Sequence, residues 1–219
     1  MDIDMKAAWI CFHANTSRYP KKWITDYVNS YHWQTTKIPI YEINYGKDKT
    51  QLFEDSKFYQ KEFPTHAHAH NFILDEVFSQ GFDYAFNSNI DDIYERDRIE
   101  SQLIACQSGF DIISCNHSII DGNNLVTHHD IQFSSKSVGV ELSRHPPHNI
   151  VSHPGVVYSK KFWTKCPKLN PQSIPKDDME LWLWAYANGF KFHIVPRTLV
   201  YYRVHENSVA APRREKQTR

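Results

Sequence analysis

The sequence is poor in the residues that would staple, anchor or charge it. Its four cysteines, Cys11, Cys106, Cys115 and Cys166, are widely separated and form no Cys-x-x-Cys pair, which argues against a zinc ribbon or dense disulfide framework and for reduced, buried thiols. An excess of one charge is missing too: 25 Lys and Arg balance 25 Asp and Glu, so no overall field draws the chain to nucleic acid. The opening Met1-Asp2-Ile3-Asp4-Met5-Lys6 is acidic and leads into only a short apolar run, without the pattern of a secretory signal or the length of a transmembrane segment. The expectation is a cytoplasmic protein. No internal repeat and no Gly/Ser linker marks a boundary. Hydrophobic residues make up 41% of the 219, enough chain to bury roughly 70% of its unfolded surface in one large domain.

What is present is an alternation of short apolar runs with helical periods, the pattern of an α/β protein. Ala7 to Phe12 reads as a buried strand, and Pro20 opens a helix on which Trp23, Ile24, Tyr27, Val28 and Tyr31 recur at three-to-four-residue spacing. Ile38 to Ile43 predicts a second strand, ending in the turn Asn44 to Asp48. Thr65 is placed to cap a helix from His66 to Gln80, and Phe82 to Phe86 predicts the third strand. A helix over Arg96 to Ser108 and a strand over Phe110 to Cys115 follow. Asp121 to Ser152, with its histidines, prolines, Ser and Asn, reads as irregular. Gly155 to Ser159, a helix from Asp178 to Asn188, and two strands, Phe190 to Val195 and Leu199 to Val204, complete the pattern. Residues 210–219 read as a basic, flexible tail behind a domain over 1–209.

Chemistry concentrates in two acidic places. Asn87-Ser88-Asn89-Ile90-Asp91-Asp92 sets adjacent carboxylates where an apolar strand runs out. Ligands of open α/β sheets settle beyond strand ends, and a hard divalent cation there takes oxygen ligands and can hold a diphosphate. For an isolated Asp-Asp, a polar turn explains as much. The second cluster, Asp177-Asp178-Met179-Glu180, opens a helix, where capping and the helix dipole account for one carboxylate. They do not account for the sequel: Gly189, a short strand, and Tyr202-Arg203-Val204-His205-Glu206-Asn207-Ser208.

In that order these elements resemble the family 2 glycosyltransferases, which have the GT-A fold. Asp177 to Ser208 matches the family's acidic pair, Leu-Trp-Leu helix, Gly, strand and Tyr-Arg-x-His-x-x-Ser ending. Asn89-Ile90-Asp91-Asp92 is similar to its Asp-x-Asp-Asp loop, Arg98 to Gln102 to the Arg-Leu-Glu-x-Gln helix, and Ala69-His70-Asn71 to an Ala-Arg-Asn. The resemblance implies a single GT-A domain, a Rossmann-like mixed open sheet flanked by helices. It implies a nucleotide-diphosphate sugar donor (UDP-, GDP- or dTDP-linked), a glycan or glycoconjugate acceptor, and Mn²⁺ or Mg²⁺ held by Asp91 and His205. Donor-binding residues would be Ala14, Asn15, Glu42, Asn44, His70, Asn71, Asn89, Ile90 and Asp91; acceptor residues would be His153 and Trp182. Asp178 would be the base of an inverting single displacement, with Asp177 or Glu180 as the fallback.

Asn89 stands where the family has its first metal-motif Asp, so charge compensation falls on Asp91, and Asn44 replaces another Asp. A mixed Asp/His donor set leans toward Mn²⁺ without excluding Mg²⁺. The alternating His66, His68 and His70 admit zinc on a strand but read as a polar start on a helix, which brings His66 and His70 together. Trp182 also fits plain packing. Two other classes stay open: a metal-dependent nucleotide-sugar phosphohydrolase that gives the sugar to water, and a noncatalytic nucleotide-sugar binding module.

Overall fold

A computed structural model describes residues 5–206 and Ser208. Its centre is a single 9-stranded mixed sheet with helices on both faces. Strands β1 (Ala7–His13), β2 (Ile40–Asn44), β3 (Lys57–Gln60) and β4 (Tyr84–Ser88) run parallel in the order β3-β2-β1-β4. On β1 the pleat sends Ala8 and Ile10 to one core and Trp9 and Cys11 to the other. That is why the run is apolar throughout rather than alternating: both faces are covered. Helices α2 (His66–Ser79), α5 (Lys160–Trp163) and α6 (Asp177–Ala187) pack on the Ile10 side, while α1 (Lys21–His32) and α3 (Arg98–Gln107) pack on the Trp9 side.

Beyond β4 the sheet changes direction. Strand β8 (Val157–Ser159) lies antiparallel to β4 and to β6 (Ile112–Ile120), and β9 (Phe192–Arg203) is parallel to β6. The hairpin strand β7 (Val126–Ile131) takes the upper edge of β6, and two-residue β5 (Ile93–Tyr94) pairs with β9. Connections from β1 go outward to β2 on one side, and those returning from β3 arrive at β4 on the other. The crevice beyond the carboxyl ends of β1 and β4 is therefore the place where this topology leaves room for a ligand.

Several sequence expectations need correction. The two C-terminal strands are one, β9: Cys115 pairs with Val195 and Asn116 with Thr198, so Pro196 and Arg197 bulge out of the ladder, as a residue without an N–H requires. The stretch from Asp121 to Ser152 is not wholly irregular, since it contains β7 and a short helix, α4 (Val138–Leu142). Strands β3, β5 and β7 carry no long apolar run and gave no periodic signal. Thr65 has the extended backbone of an N-cap, but its hydroxyl meets His68 Nδ1 at 2.9 Å instead of a backbone N–H. All four cysteines are free and buried. The expected flexible tail, 210–219, lies outside the described residues.

Gly155, just before β8, shows how closely this part of the sheet is packed. A Cβ there would lie 2.6 Å from Cys115 Sγ and 2.9 Å from Val200 Cγ2, while the Gly155 carbonyl accepts from Gln102 Nε2 at 2.7 Å. Gly155→Ala is expected to lower unfolding free energy by ~1–3 kcal/mol through overpacking. A denaturant midpoint equal to the parent's would refute that close fit.

Candidate functional site

A cleft of about 440 Å³ opens beyond the carboxyl ends of β1 and β4. Its floor comes from Phe12, His13 and Ala14 at the end of β1 and from Asn89, Ile90 and Asp91 after β4. Asp177 and Asp178, at the start of α6, line it, as do the segment Asn149 to Pro154, Tyr202 of β9 and Ser208. Thus both acidic clusters, about ninety positions apart in the chain, reach one cavity. The fold brings them together because β4 and α6 both end or begin at the same edge of the sheet.

Within the acidic loop the two carboxylates have separate jobs. Asp92 is fully buried; its Oδ1 accepts from Arg203 N at 2.8 Å, and Asn89 Nδ2 donates to Oδ2 at 3.3 Å. Burial first, and the adjacent Asp91 charge second, push its pKa well above the usual carboxylate range. Asp91 is the one that faces the cleft, and His205 Nε2 donates to its Oδ2 at 3.0 Å. Buried Arg203 braces this corner: Nε donates to the Asp91 carbonyl at 2.7 Å, Nη1 donates to Asp121 O at 2.8 Å and Asn124 Oδ1 at 2.6 Å, and the guanidinium lies 4.9 Å from the Trp23 ring. The Tyr-Arg-x-His motif thus divides its work, the Arg holding the loop's backbone and the His meeting its carboxylate.

The α6 end is organised differently. Asp177 is 5% exposed, and His66 Nε2, from the first turn of α2, donates to its Oδ2 at 3.2 Å. Burial would raise the Asp177 pKa, but the His66 hydrogen bond and the His153 and His66 charges outweigh it, and the pKa is lowered. Asp178 accepts from Met179 N at 2.7 Å and from Asn149 Nδ2 at 2.8 Å. The His66–Asp177 contact and the imidazole of His13 at the cleft were not singled out from the sequence, although the i, i+4 pairing of His66 with His70 on a helix was the available signal. Tyr19, Tyr45, His117 and Phe133 also line the cleft without any motif to flag them. Burial and then the Asp91 charge raise the Tyr19 pKa, so its phenol stays neutral beside the acidic loop.

The remaining site residues divide into those at the cleft and those behind it. Ala14, Asn89, Ile90, Asp91 and His153 line it. Burial chiefly lowers the His153 pKa, and its Nε2 sits 2.8 Å from Tyr158 Oη. Asn15 borders a neighbouring concavity with Tyr45, Gly46, Lys47, Glu62, Phe63 and Pro64. Its backbone, at φ 53°, is in the left-handed region that Asn tolerates, and Asp48 holds it there by accepting from Asn15 N at 3.1 Å and Thr16 N at 3.0 Å.

Glu42, Asn44, His70, Asn71 and Trp182 are placed behind the cleft instead. Glu42 is fully buried, accepting from His13 Nε2 at 2.8 Å, Leu52 N at 2.6 Å, Phe53 N at 3.1 Å and Ser56 Oγ at 2.8 Å, so its carboxylate is already occupied. Asn44 closes its own turn, donating to Asp48 O at 2.5 Å and Thr50 O at 3.0 Å and accepting from Gly46 N at 2.9 Å. His70 Nε2 donates to Asn87 Oδ1 at 3.0 Å, and Asn87 Nδ2 donates to His153 O at 2.7 Å; burial, then the His153 charge, lower the His70 pKa well below 6.5. Asn71 clamps the backbone of Leu169 through both ends of its amide, at 2.9 and 3.0 Å. Trp182 is fully buried against Tyr158, with ring centroids 5.9 Å apart, and is core rather than acceptor platform. None of the five lines the cleft; Glu42, Asn44 and Asn71 are hydrogen-bonded within the protein, while His70 Nδ1 and Trp182 Nε1 are buried without a hydrogen-bond partner among the described residues.

Comparison with solved structures then places the architecture. The fold is shared with TarS. The crystal structure of S. aureus TarS superposes with a TM-score of 0.66 at 14% identity, covering 91% of this chain and 37% of that one. TarS 1-349 gives 0.66 at 13% identity, covering 91% and 60%. The present chain therefore spans less than two thirds of either TarS chain, and at this identity the likeness is one of fold. TarS is a family 2 glycosyltransferase. No protein-family model and no curated protein matches at the level of sequence.

Among the described residues no group of three or more His, Cys, Asp or Glu side chains is placed to hold a metal ion, so Asp91 and His205 stand as a pair. The pair does not form a closed protein cage. A carboxylate oxygen and an imidazole nitrogen are donor types that a divalent cation such as Mn²⁺ accepts, and here the two atoms are joined by a 3.0 Å hydrogen bond. Among the described residues no helix is long and apolar enough to cross a membrane.

Proposed function

We propose that the protein is a metal-assisted glycosyltransferase with a GT-A-type site, moving a sugar from a nucleotide-diphosphate sugar to an acceptor hydroxyl of a glycan or glycoconjugate. The observation that carries this reading is the convergence of Asp91, hydrogen-bonded to His205 behind it, and Asp178 on one cleft beyond the strand ends of a sheet shared with a glycosyltransferase. A Mn²⁺ or Mg²⁺ ion held by Asp91 and His205 would offset the charge that develops on the leaving diphosphate. Ala14, Asn89 and Ile90 border the donor, and His153 borders the acceptor. Asn15 lies in the adjoining concavity, where the nucleoside of a UDP-, GDP- or dTDP-sugar has room.

In the reaction, the acceptor oxygen forms a bond to the anomeric carbon while the bond from that carbon to the phosphate oxygen breaks, its electron pair leaving with the nucleoside diphosphate. The acceptor proton goes to a carboxylate oxygen of Asp178. A single displacement of this kind inverts the anomeric centre. Asp177 is the poorer base, being buried and already engaged by His66, and it serves to orient that imidazole.

The test is to incubate the protein with UDP-, GDP- and dTDP-sugars and Mn²⁺ or Mg²⁺, following nucleoside diphosphate release with and without candidate glycans. Release that depends on the acceptor supports transfer. Equal release without acceptor would make the protein a phosphohydrolase, and binding without release would make it a noncatalytic module.

A further inference from the structure

The segment before β8 supplies more than a wall of the cleft. Asn149 lines the cavity together with Asp178, and its Nδ2 donates to Asp178 Oδ2 at 2.8 Å. Its own Oδ1 accepts from Val151 N at 3.1 Å, which settles which end of the amide meets the carboxylate. The other carboxylate oxygen, Oδ1, accepts from Met179 N at 2.7 Å at the start of α6, where the helix dipole also favours negative charge. One donor on each oxygen fixes the plane of the carboxylate and leaves each oxygen a further lone pair for an acceptor proton.

The segment that carries Asn149 is itself anchored. Ser152 N donates to Ser114 Oγ on β6 at 3.0 Å, and the His153 carbonyl accepts from Asn87 on β4 at 2.7 Å. A rigid strip moored to two strands of the sheet thus presents an amide to a carboxylate on a helix. The surrounding titratable groups are Asp177 and Glu180 on α6, His66 from α2, and His153 and Tyr158, both of which feel the Asp178 charge.

We infer that Asn149 is a positioning residue for the proposed base, holding the Asp178 carboxylate in its reactive plane. The inference rests on the reading of Asp178 as the base, and it adds a residue from a stretch in which the sequence carries no motif. Immobilising the carboxylate removes orientations from which it could not accept the proton.

Transfer kinetics test this. Asn149→Ala should lower the acceptor-dependent kcat by about 10- to 100-fold, with donor KM unchanged. Asn149→Asp, which keeps the shape of the side chain and its contact with Val151 but has no N–H to offer Asp178, should lose kcat to a similar extent, again at unchanged donor KM. A parent kcat in folded Asn149→Asp, or a loss that appears in donor KM instead of kcat, overturns the inference, whether or not Asn149→Ala folds. Failure of the underlying reading is separately visible, as full transfer by Asp178→Asn.

Discussion

Replacing Asp178 by asparagine is expected to abolish sugar transfer while leaving donor binding intact. The substitution preserves size and the backbone contact with Met179 N, but an amide cannot take the acceptor proton. General-base catalysis is worth ~10²–10⁴-fold, so kcat should fall by at least that factor in the acceptor-dependent assay. Affinity for the nucleoside diphosphate, measured by calorimetry in the presence of Mn²⁺, should stay near the parent value, since the proposed metal ligands Asp91 and His205 lie outside α6, which carries Asp178. Parent-level turnover would remove Asp178 from the role of base. The corresponding change at Asp177 is expected to act differently: that carboxylate is engaged by His66, and its loss disturbs the approach of α2 to α6 before it touches chemistry.

The second large effect is expected at Asp91. Asp91→Ala takes away the carboxylate that faces the cleft and leaves His205 without the partner it meets at 3.0 Å. Buried Asp92 cannot substitute, because its oxygens are held by Arg203 N and Asn89 Nδ2 and its position gives it no exposure to a ligand. Nucleoside diphosphate binding in Mn²⁺ should weaken by more than about tenfold, and the difference between titrations with metal and with EDTA should disappear. Asp91→Asn separates charge from shape, since its amide oxygen can still accept from His205. A loss of metal dependence in both variants supports charge compensation by Asp91; a metal dependence that survives in both would place the cation elsewhere. A tenfold change in affinity corresponds to about 1.4 kcal/mol, so calorimetry resolves the effect comfortably.

Much of the architecture is legible in the chain because burial imposes a period. Ala7 to Phe12 is apolar at every position since β1 has a core on each side, and the helix faces of α1, α2, α3 and α6 repeat every three to four residues because only one side of each meets the sheet. Short edge strands such as β3 and β5 impose no such pattern: they have few residues and one neighbour, so their pairing is decided by what the rest of the sheet leaves open. The break of β9 at Pro196 misled for the opposite reason. Proline signals a stop locally, yet a bulge of two residues lets the ladder with β6 resume.

The candidate site divides along the same line. Asp91, Asp178 and His205 follow from the two acidic clusters together with the family resemblance that their order carries. Which polar side chains face the ligand was decided only by tertiary contacts. Asn71 is turned away by a backbone 98 positions distant, Glu42 by four donors that surround it, and Asn149 is turned toward Asp178 by the anchoring of its own segment. A buried polar group must find its partners wherever the fold provides them, and those partners lie far away in sequence. The chain by itself therefore determined the α/β architecture and the kinds of groups available for chemistry; the packed structure decided which of them remain free to act.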